Sequence, residues 1–183
     1  VINATGLVVS PGFIDLHAHG QNIIGQTYQV RDGVTTALEL ESGVYPFPNQ
    51  EQEVQSLSKQ LSERGGKSLI HYGYSAGYYG ARLRVKGNDQ KKLKYETASV
   101  TEQREMLSYV EQQLDKGAIG IGLPLDYMSK GINDDELAGI FYLAAQRKVP
   151  VFVHIRMSDD ASDPSGFEEL VALVRKTKAS LHM

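Results

Sequence analysis

Short apolar runs alternate along the chain with longer stretches of helical periodicity. Strict apolar–polar alternation is typical of strands, whereas apolar residues spaced three and four apart are typical of amphipathic helices. Strands that alternate with helices favour βα units and a parallel sheet. The pattern predicts strands at residues 12–18, 34–41, 68–74, 118–123 and 149–155, and the start of a sixth near residue 179.

Residues typical of helix starts follow most of the predicted strands. A capping residue three positions before Glu or Gln forms a capping box, and proline is favoured at the first helical position. These patterns predict helix starts at residues 49–52 (before a stripe of Val54, Leu57 and Leu61), at Ser99 with Glu102, at Asn133 with Glu136, and at Pro164.

Residues 75–98 differ from the rest of the chain. They are rich in Tyr, Gly, Lys and Arg and have no clear apolar period, so we expect a long loop after the third strand. This loop is either a solvated excursion or part of a lid over a substrate, because long loops in compact domains are often functional. We expect Tyr72, Tyr74, Tyr78 and Tyr79 to pack in this region without a binding role.

The two faces of the predicted strands distinguish between two parallel-sheet folds. Successive residues of a strand point to opposite faces. In the first, second and fifth strands one face is apolar, and the other carries polar groups near the C-terminal end: Asp15, His17 and His19; Glu39 and Glu41; His154 and Arg156. A (β/α)8 barrel needs this layout, whereas a doubly wound sheet would bury these groups under helices. We expect Ala118, Gly120 and Gly122, on the inner face of the fourth strand, to leave room for a metal or a substrate.

Composition narrows the functional classes. The 183 residues include no cysteine, which excludes a disulfide framework and any zinc site built on cysteine. A formal net charge of −3 argues against a nucleic-acid surface, and no apolar run approaches the length of a membrane span. The absence of cysteine leaves the compartment open, with the cytoplasm as the default expectation. Because the chain begins at Val1 and ends at Met183 in a strand-like run, we expect a fragment of a longer protein.

His17 and His19 form a candidate metal site together with His154. Residues two apart in a strand have Cα atoms about 6.5–7 Å apart on one face, so that two imidazoles can converge on one cation. His154 ends a different strand on the same inferred face and would supply a third nitrogen. The alternative, histidines that are merely hydrogen-bonded within a core, suits a lone histidine better than this in-phase set.

Several segments resemble one enzyme superfamily. Residues 10–20 (SPGFIDLHAHG) look like the first-strand signature of the amidohydrolase superfamily, and residues 33–36 (GVTT) match its second strand. Residues 117–122 (GAIGIG), followed by Tyr127, and residues 153–156 (VHIR) narrow the resemblance to the N-acyl-D-amino-acid deacylase (D-aminoacylase) branch.

The resemblance implies a partial (β/α)8 barrel, covering about strands 1 to 6, of an enzyme that hydrolyses an amide bond with a zinc-activated water. Residues 1–10 would link it to a small β-sandwich domain, and residues 11–183 would form the N-terminal part of the barrel. By the same resemblance His17, His19 and His154 bind one or two zinc ions at the C-terminal ends of the strands. The implied substrates are N-acyl-D-amino acids or related small N-acyl compounds.

The sequence departs from the family's pattern in two ways. Deacylases of this branch commonly place a metal-bridging cysteine just after the second strand, where this chain has Ser42. We expect Glu41 to replace it, since a carboxylate can bind zinc at about 2.0–2.2 Å; alternatively Glu39 and Glu41 both orient the histidines. The family's sixth-strand histidine ligand and its eighth-strand aspartate, the general acid/base, are expected beyond Met183, and His182 is expected to be structural.

Two further residues are candidates for substrate binding. The planar guanidinium of Arg156 could hold a substrate carboxylate, or it could pair with a loop acid such as Asp159. Tyr127 could hydrogen-bond the substrate or an oxyanion.

Other functions stay open because a fold alone does not choose among them. One is another amidohydrolase branch, such as a cyclic-amide hydrolase or a deaminase. Another is a catalytically silent barrel that acts as a binding or scaffold protein. The sequence also leaves a homo-oligomer open.

Overall fold

The computed structural model describes residues 1–19, 23–44, 48–49, 52–53, 68–87, 89–128, 130–158, 160 and 162–183. Its main feature is a sheet of six parallel strands. The strands are β1 (Phe13–Asp15), β2 (Val34–Val44), β5 (His71–Gly77), β6 (Ile121–Pro124), β7 (Pro150–His154) and β8 (Ser180–His182). Two short strands, β3 (Pro48–Asn49) and β4 (Gln52–Glu53), form a separate antiparallel pair.

Helices lie between most of the described strands of the main sheet. They are α1 (Ile23–Arg31), α2 (Tyr78–Lys86), α3 (Gln90–Tyr95), α4 (Val100–Asp115), α5 (Asp134–Arg147) and α6 (Ser165–Thr177), and a single 3-10 turn spans Leu125–Met128. Within the described residues no helix is long and apolar enough to cross a membrane.

The order of the strands identifies the architecture. In the main sheet each strand pairs with the next one along the chain, in the order β1-β2-β5-β6-β7-β8. A doubly wound sheet instead reverses its strand order at a switch point. Strands that follow one another in one direction, with helical connections, are the arrangement of a (β/α)8 barrel. The predicted fold class, a partial barrel of about six strands, is confirmed.

Several strand boundaries differ from the prediction. Strand β1 ends at Asp15, whose carboxylate accepts a hydrogen bond from the N–H of His17 at 3.0 Å. Strand β5 begins at His71 and continues to Gly77, and β2 extends to Val44. The histidines that the alternation placed at the end of the first strand therefore lie in the loop that follows it.

The prediction of a long loop at residues 75–98 is wrong. These residues complete β5, form α2 and α3, and include the fully buried side chains of Tyr78 and Arg82. Lys86 is also buried, with its ammonium group bonded to Glu96 and Glu102. A clear apolar period is absent here because two cations and a tyrosine occupy half of the buried positions of α2.

The other predicted helix starts have mixed outcomes. Ser99 and Glu102 form the complete capping box of α4, and the side chain of Asn133 accepts a hydrogen bond from the N–H of Glu136 at 2.9 Å. Pro164 is the residue before α6 rather than its first residue. The start predicted at residues 49–52 is wrong, because Asn49 lies in β3 and Gln52 in β4; the stripe of Val54, Leu57 and Leu61 lies outside the described residues.

The core lies between the helices and the outer face of the sheet. Its strand residues have exposed fractions of 5% or less, and its helix residues are likewise buried: Ile121, Leu123, Val151 and Val153 from β6 and β7; Met106, Val110, Ile140, Phe141 and Leu170 from α4, α5 and α6. This confirms the predicted outward face of these two strands.

The inner face of β6 is less open than predicted. A Cβ atom on Gly122 would lie 2.5 Å from the carbonyl oxygen of Leu40, and one on Gly120 would lie 2.5 Å from the ring of Phe152. These glycines therefore allow β2 and β7 to approach closely, and the prediction that they leave empty space is wrong.

The capping box of α4 gives the first testable prediction. Hydrogen bonds from the backbone and the hydroxyl of Ser99, aided by Lys86, lower the pKa of Glu102 from 4.5 to about 2. A lowered pKa contributes stability that is present above pH 4.5 and is lost as the pH falls toward 2. Replacing Glu102 with glutamine keeps an acceptor at this position but removes the charge that strengthens the hydrogen bonds from Ser99 and Lys86. The unfolding free energy of the whole protein should therefore fall by about 1 kcal/mol at neutral pH, the difference between charged and neutral hydrogen bonds.

Urea unfolding at several pH values would test this prediction. The difference between wild type and Glu102→Gln should shrink between pH 4.5 and 2. Glu105→Gln, a change at an exposed position of the same helix, is the matched control. A difference that stays constant over this pH range would contradict the assignment.

Candidate metal centre

The C-terminal ends of the strands bring together side chains that are distant in sequence. His17 and His19 lie in the loop after β1, Glu41 lies in the last part of β2, and His154 is the last residue of β7. Between the two loop histidines, Ala18 is buried and its N–H donates to the carbonyl of Leu38 at 3.0 Å. This backbone bond holds the histidine loop against β2.

The distances within this group suit a shared metal ion. His17 Nε2 lies 3.1 Å from His19 Nε2 and 3.4 Å from Glu41 Oε2. One ligand atom from each of these three residues lies within 4.8 Å of the others. Two ligand atoms of a tetrahedral zinc at 2.0–2.1 Å lie roughly 3.3 Å from each other. The three side chains therefore converge as ligands do.

His154 joins the group through Glu41. Its Nδ1 lies 3.1 Å from Glu41 Oε1, while the other carboxylate oxygen faces His17. The Glu41 side chain is only 13% exposed, against 31% for His154 and 65% for His17. The carboxylate is thus the most enclosed of these three side chains and lies between one histidine of the loop after β1 and another at the end of β7.

Glu39 and Ser42 contact the opposite side of His19. Its Nδ1 lies 3.4 Å from Ser42 Oγ and 3.9 Å from Glu39 Oε1, whereas its Nε2 faces His17. Of the three residues considered for the place of the family's cysteine, Glu41 contacts His17 and His154. Glu39 and Ser42 are instead placed to orient the His19 ring.

The donor set fits zinc. Three imidazoles and one carboxylate supply the nitrogen and oxygen ligands that zinc accepts, and the grouped ligand atoms of His17, His19 and Glu41 are close enough to share one ion. The structure therefore brings His17, His19, His154 and Glu41 together, and their roles as ligands stay predictions.

A pocket lies directly beside this group. It is lined by His19, Glu41, Ser42, Tyr79, Pro124 and Tyr127. Tyr127, in the 3-10 turn after β6, also packs edge-on against the ring of His154 with the centroids 5.4 Å apart. The sequence analysis named Tyr127 but gave Tyr79 no role. The position of Tyr79, two residues after the end of β5, is the signal that could have identified it.

Arg156 has protein partners outside this pocket. Its Nε donates to Glu169 on α6 at 3.0 Å, and its Nη2 donates to the carbonyl of Ile132 at 2.8 Å. Asp159, the acid considered as its partner, lies outside the described residues. The substrate role of Arg156 stays a prediction.

His182 lies in β8 beside Phe152, and the two rings pack edge-on at 5.7 Å. This packing agrees with the structural role expected for His182, and the structure does not include it in the group around Glu41.

Comparison with known proteins gives a consistent result. No family model matches the chain. It is 25% identical over 196 aligned residues to the N-acyl-D-glutamate deacylase of Alcaligenes xylosoxydans xylosoxydans. This alignment covers 96% of the chain and 39% of that protein. It is also 30% identical over 83 residues to the dihydroorotase of Lactobacillus johnsonii, covering 40% of the chain and 19% of that protein.

Solved structures show the same fold. An N-acyl-D-glutamate deacylase from Bordetella bronchiseptica, complexed with zinc and a phosphonate inhibitor, matches with a TM-score of 0.75 at 22% identity. A D-aminoacylase matches with a TM-score of 0.71 at 18% identity. Each match covers 93% of the chain and 39% of the solved protein, so the chain spans about two fifths of the length of these relatives. Together with the curated deacylase, these matches confirm the predicted resemblance to the amidohydrolase superfamily and, within it, to the N-acyl-D-amino-acid deacylase branch.

Proposed function

We propose that the protein is a zinc-dependent amidohydrolase that removes the acyl group from N-acyl-D-amino acids or related N-acyl compounds. The observation that carries the proposal is the Glu41 carboxylate, which contacts His17 with one oxygen and His154 with the other. A similar deacylase binds zinc and a mimic of the tetrahedral intermediate, which supports the same chemistry here.

Four residues would hold the metal: His17, His19, His154 and Glu41. When bound, zinc polarises the scissile carbonyl and lowers the pKa of water to about 7. Contacts of Ser42 and Glu39 with His19 Nδ1 favour the tautomer with a proton on that atom, which leaves the Nε2 lone pair for the metal. The negative charge of Glu41 offsets part of the cation's charge.

Tyr127 would act on the substrate rather than on the metal. It lies in the pocket wall and packs against His154, so its hydroxyl could donate to the oxygen on which charge develops.

Residues 1–10, which are almost entirely exposed and contain no strand or helix, fit the proposed link to a β-sandwich domain.

A cyclic-amide hydrolase is the second candidate. It is favoured by the similarity to a dihydroorotase, since dihydroorotate is a cyclic amide. The deacylase proposal is stronger because the deacylase similarity extends over nearly the whole chain.

Substrate profiling of the zinc-loaded whole protein would test the proposal. We expect hydrolysis of N-acetyl-D-amino acids, with little activity on their L enantiomers and on dihydroorotate. A preference for dihydroorotate would favour the second candidate. Zinc bound without hydrolysis of any amide would favour a catalytically silent binding protein.

Removal of a ligand gives a further prediction. His17→Ala or His154→Ala should remove most of the bound zinc and the activity, because each deletes a nitrogen that contacts Glu41. Elemental analysis of the purified whole protein gives the zinc content per chain. His71→Ala is the matched control, since His71 is exposed at the opposite end of the sheet, where β5 begins. Unchanged zinc in both ligand variants would contradict the metal assignment.

A further inference from the structure

Tyr79 lines the pocket beside the candidate metal centre because two strand ends approach closely. Gly43, near the end of β2, has a φ of +67°, and a Cβ atom there would lie 2.6 Å from the backbone nitrogen of Gly77. Only glycine tolerates both the conformation and the contact. This approach places Ser42, just before Gly43, beside Tyr79, which follows Gly77 by two residues, and both line the pocket.

The helix that carries Tyr79 is firmly anchored. Tyr78, the first residue of α2, is fully buried and donates a hydrogen bond to Glu136 on α5 at 2.9 Å. Arg82, one turn later, is fully buried and donates to the carbonyls of Leu93 at 3.2 Å and Gly131 at 3.0 Å. Side chains on such a rigid element can position a ligand more accurately than those on a mobile loop.

The pocket has two chemically different sides. His19, Glu41 and Ser42 form the polar side, which belongs to the candidate metal centre. Tyr79, Pro124 and Tyr127 form the other side, which offers two aromatic rings and a proline ring. Binding pockets usually combine a few polar groups with apolar walls of this kind. A substrate whose carbonyl reaches the polar side would have a neighbouring group against these rings.

We infer that Tyr79 is a substrate-contacting residue that, with Pro124 and Tyr127, binds an apolar group attached to the amide bond. The inference rests on the proposed function, since it places that amide at the metal centre. Either the acyl chain or the amino-acid side chain could supply the apolar group, and the two differ only in which side of the amide they occupy.

Two series of substrates distinguish these sources. The first compares N-acetyl with N-phenylacetyl derivatives of D-alanine, and the second compares N-acetyl-D-alanine with N-acetyl-D-phenylalanine. In wild type, kcat/KM should be higher for the bulkier member of one series. Tyr79→Ala should reduce that preference about tenfold, since small changes of apolar contact in a pocket alter kcat/KM on this scale. The series in which Tyr79→Ala lowers the preference identifies whether the acyl chain or the amino-acid side chain supplies the apolar group.

Two matched variants distinguish a substrate contact of Tyr79 from a purely structural role. Tyr79→Phe should keep the preference, because the ring rather than the hydroxyl makes the contact. Tyr142→Ala, a half-exposed tyrosine on α5 outside the pocket, should leave both series and the zinc content unchanged. The zinc content of Tyr79→Ala should equal that of wild type.

Three results would overturn the inference alone while the protein still hydrolyses N-acyl substrates. They are unchanged preferences in Tyr79→Ala, loss of the preference in Tyr79→Phe, and loss of zinc in Tyr79→Ala. If zinc-loaded wild type hydrolyses no member of either series, the proposed function fails and the inference fails with it.

Discussion

Glu41→Gln is expected to lower both zinc affinity and activity by more than about 100-fold, beyond the 10- to 100-fold typical of residues that only orient a ligand. Glutamine keeps the shape of the side chain but removes the negative charge that lies between His17 and His154. The carboxylate is mostly enclosed, with 13% of its side chain exposed, so solvent cannot substitute for it easily. Competition with a chelator measures the affinity, and kcat/KM on an N-acetyl-D-amino acid measures the activity.

The neighbouring residues provide the controls for this prediction. Glu39→Gln and Ser42→Ala change groups that face His19 Nδ1, on the side away from His17. We expect each to cost about 10- to 100-fold, as orienting partners do. A larger loss of zinc in Glu39→Gln than in Glu41→Gln would exchange the proposed roles of the two glutamates. Wild-type affinity in Glu41→Gln would remove Glu41 from the metal site.

The sequence predicts the sheet well because periodicity depends on burial. Outward-facing residues such as Ile121 and Val151 are fully buried against helices, and this burial imposes the alternation seen in the sequence. The (β/α)8-type order then follows from strands that alternate with helices. The polar residues left at the strand ends could be assigned to one site because parallel strands end at the same edge.

The roles of Glu39 and Glu41 could not be separated from the sequence. Alternation places both on one face of β2, so only three-dimensional distances distinguish them. In the structure the pairing of β2 with β5 is irregular between Glu39 and Val44. This irregularity, together with the positive φ of Gly43, sets the direction of the strand end. Such local geometry has no periodic signal.

The apolar pattern does not predict helix α2 because two of its buried positions carry charged residues. Arg82 and Lys86 lie on its inner side, where their charges are balanced by Glu136, Glu96 and Glu102. A method that identifies helices by apolar spacing treats such positions as exposed. The same error left Tyr79 without a predicted role, since a residue assigned to a solvated loop has no fixed position relative to the candidate metal centre.

The buried pair of Arg82 and Glu136 should dominate the stability of this region. Arg82→Met is expected to lower the unfolding free energy by about 3–5 kcal/mol, because it leaves an uncompensated buried carboxylate. Both side chains are fully enclosed, and the guanidinium also donates to three backbone carbonyls, those of Leu93, Glu96 and Gly131. Urea unfolding of the whole protein measures the loss.

Arg147→Met is the matched control for this change. Arg147 also pairs with two acids, Glu111 and Asp115, but all three side chains are partly exposed. Exposed ion pairs are worth about 0–1 kcal/mol, so this variant should lose little stability. Equal losses of unfolding free energy in Arg82→Met and Arg147→Met would contradict the prediction that burial makes the Arg82 pair more important for stability.

A double variant separates the pair from the packing around it. In Arg82→Met with Glu136→Leu, the unpaired carboxylate is gone, and apolar replacements of buried ion pairs are often neutral. The double variant should therefore be more stable than Arg82→Met alone. It should not regain full stability, because the three carbonyls remain without their donor and the Tyr78 hydroxyl keeps only the weaker acceptor, the sulfur of Met106 at 3.3 Å. Burial, and then the Glu136 carboxylate, raise the pKa of Tyr78 well above its ordinary value, so that hydroxyl keeps its proton and still needs an acceptor. A double variant less stable than Arg82→Met would show that the carboxylate contributes more through Tyr78 than through the arginine.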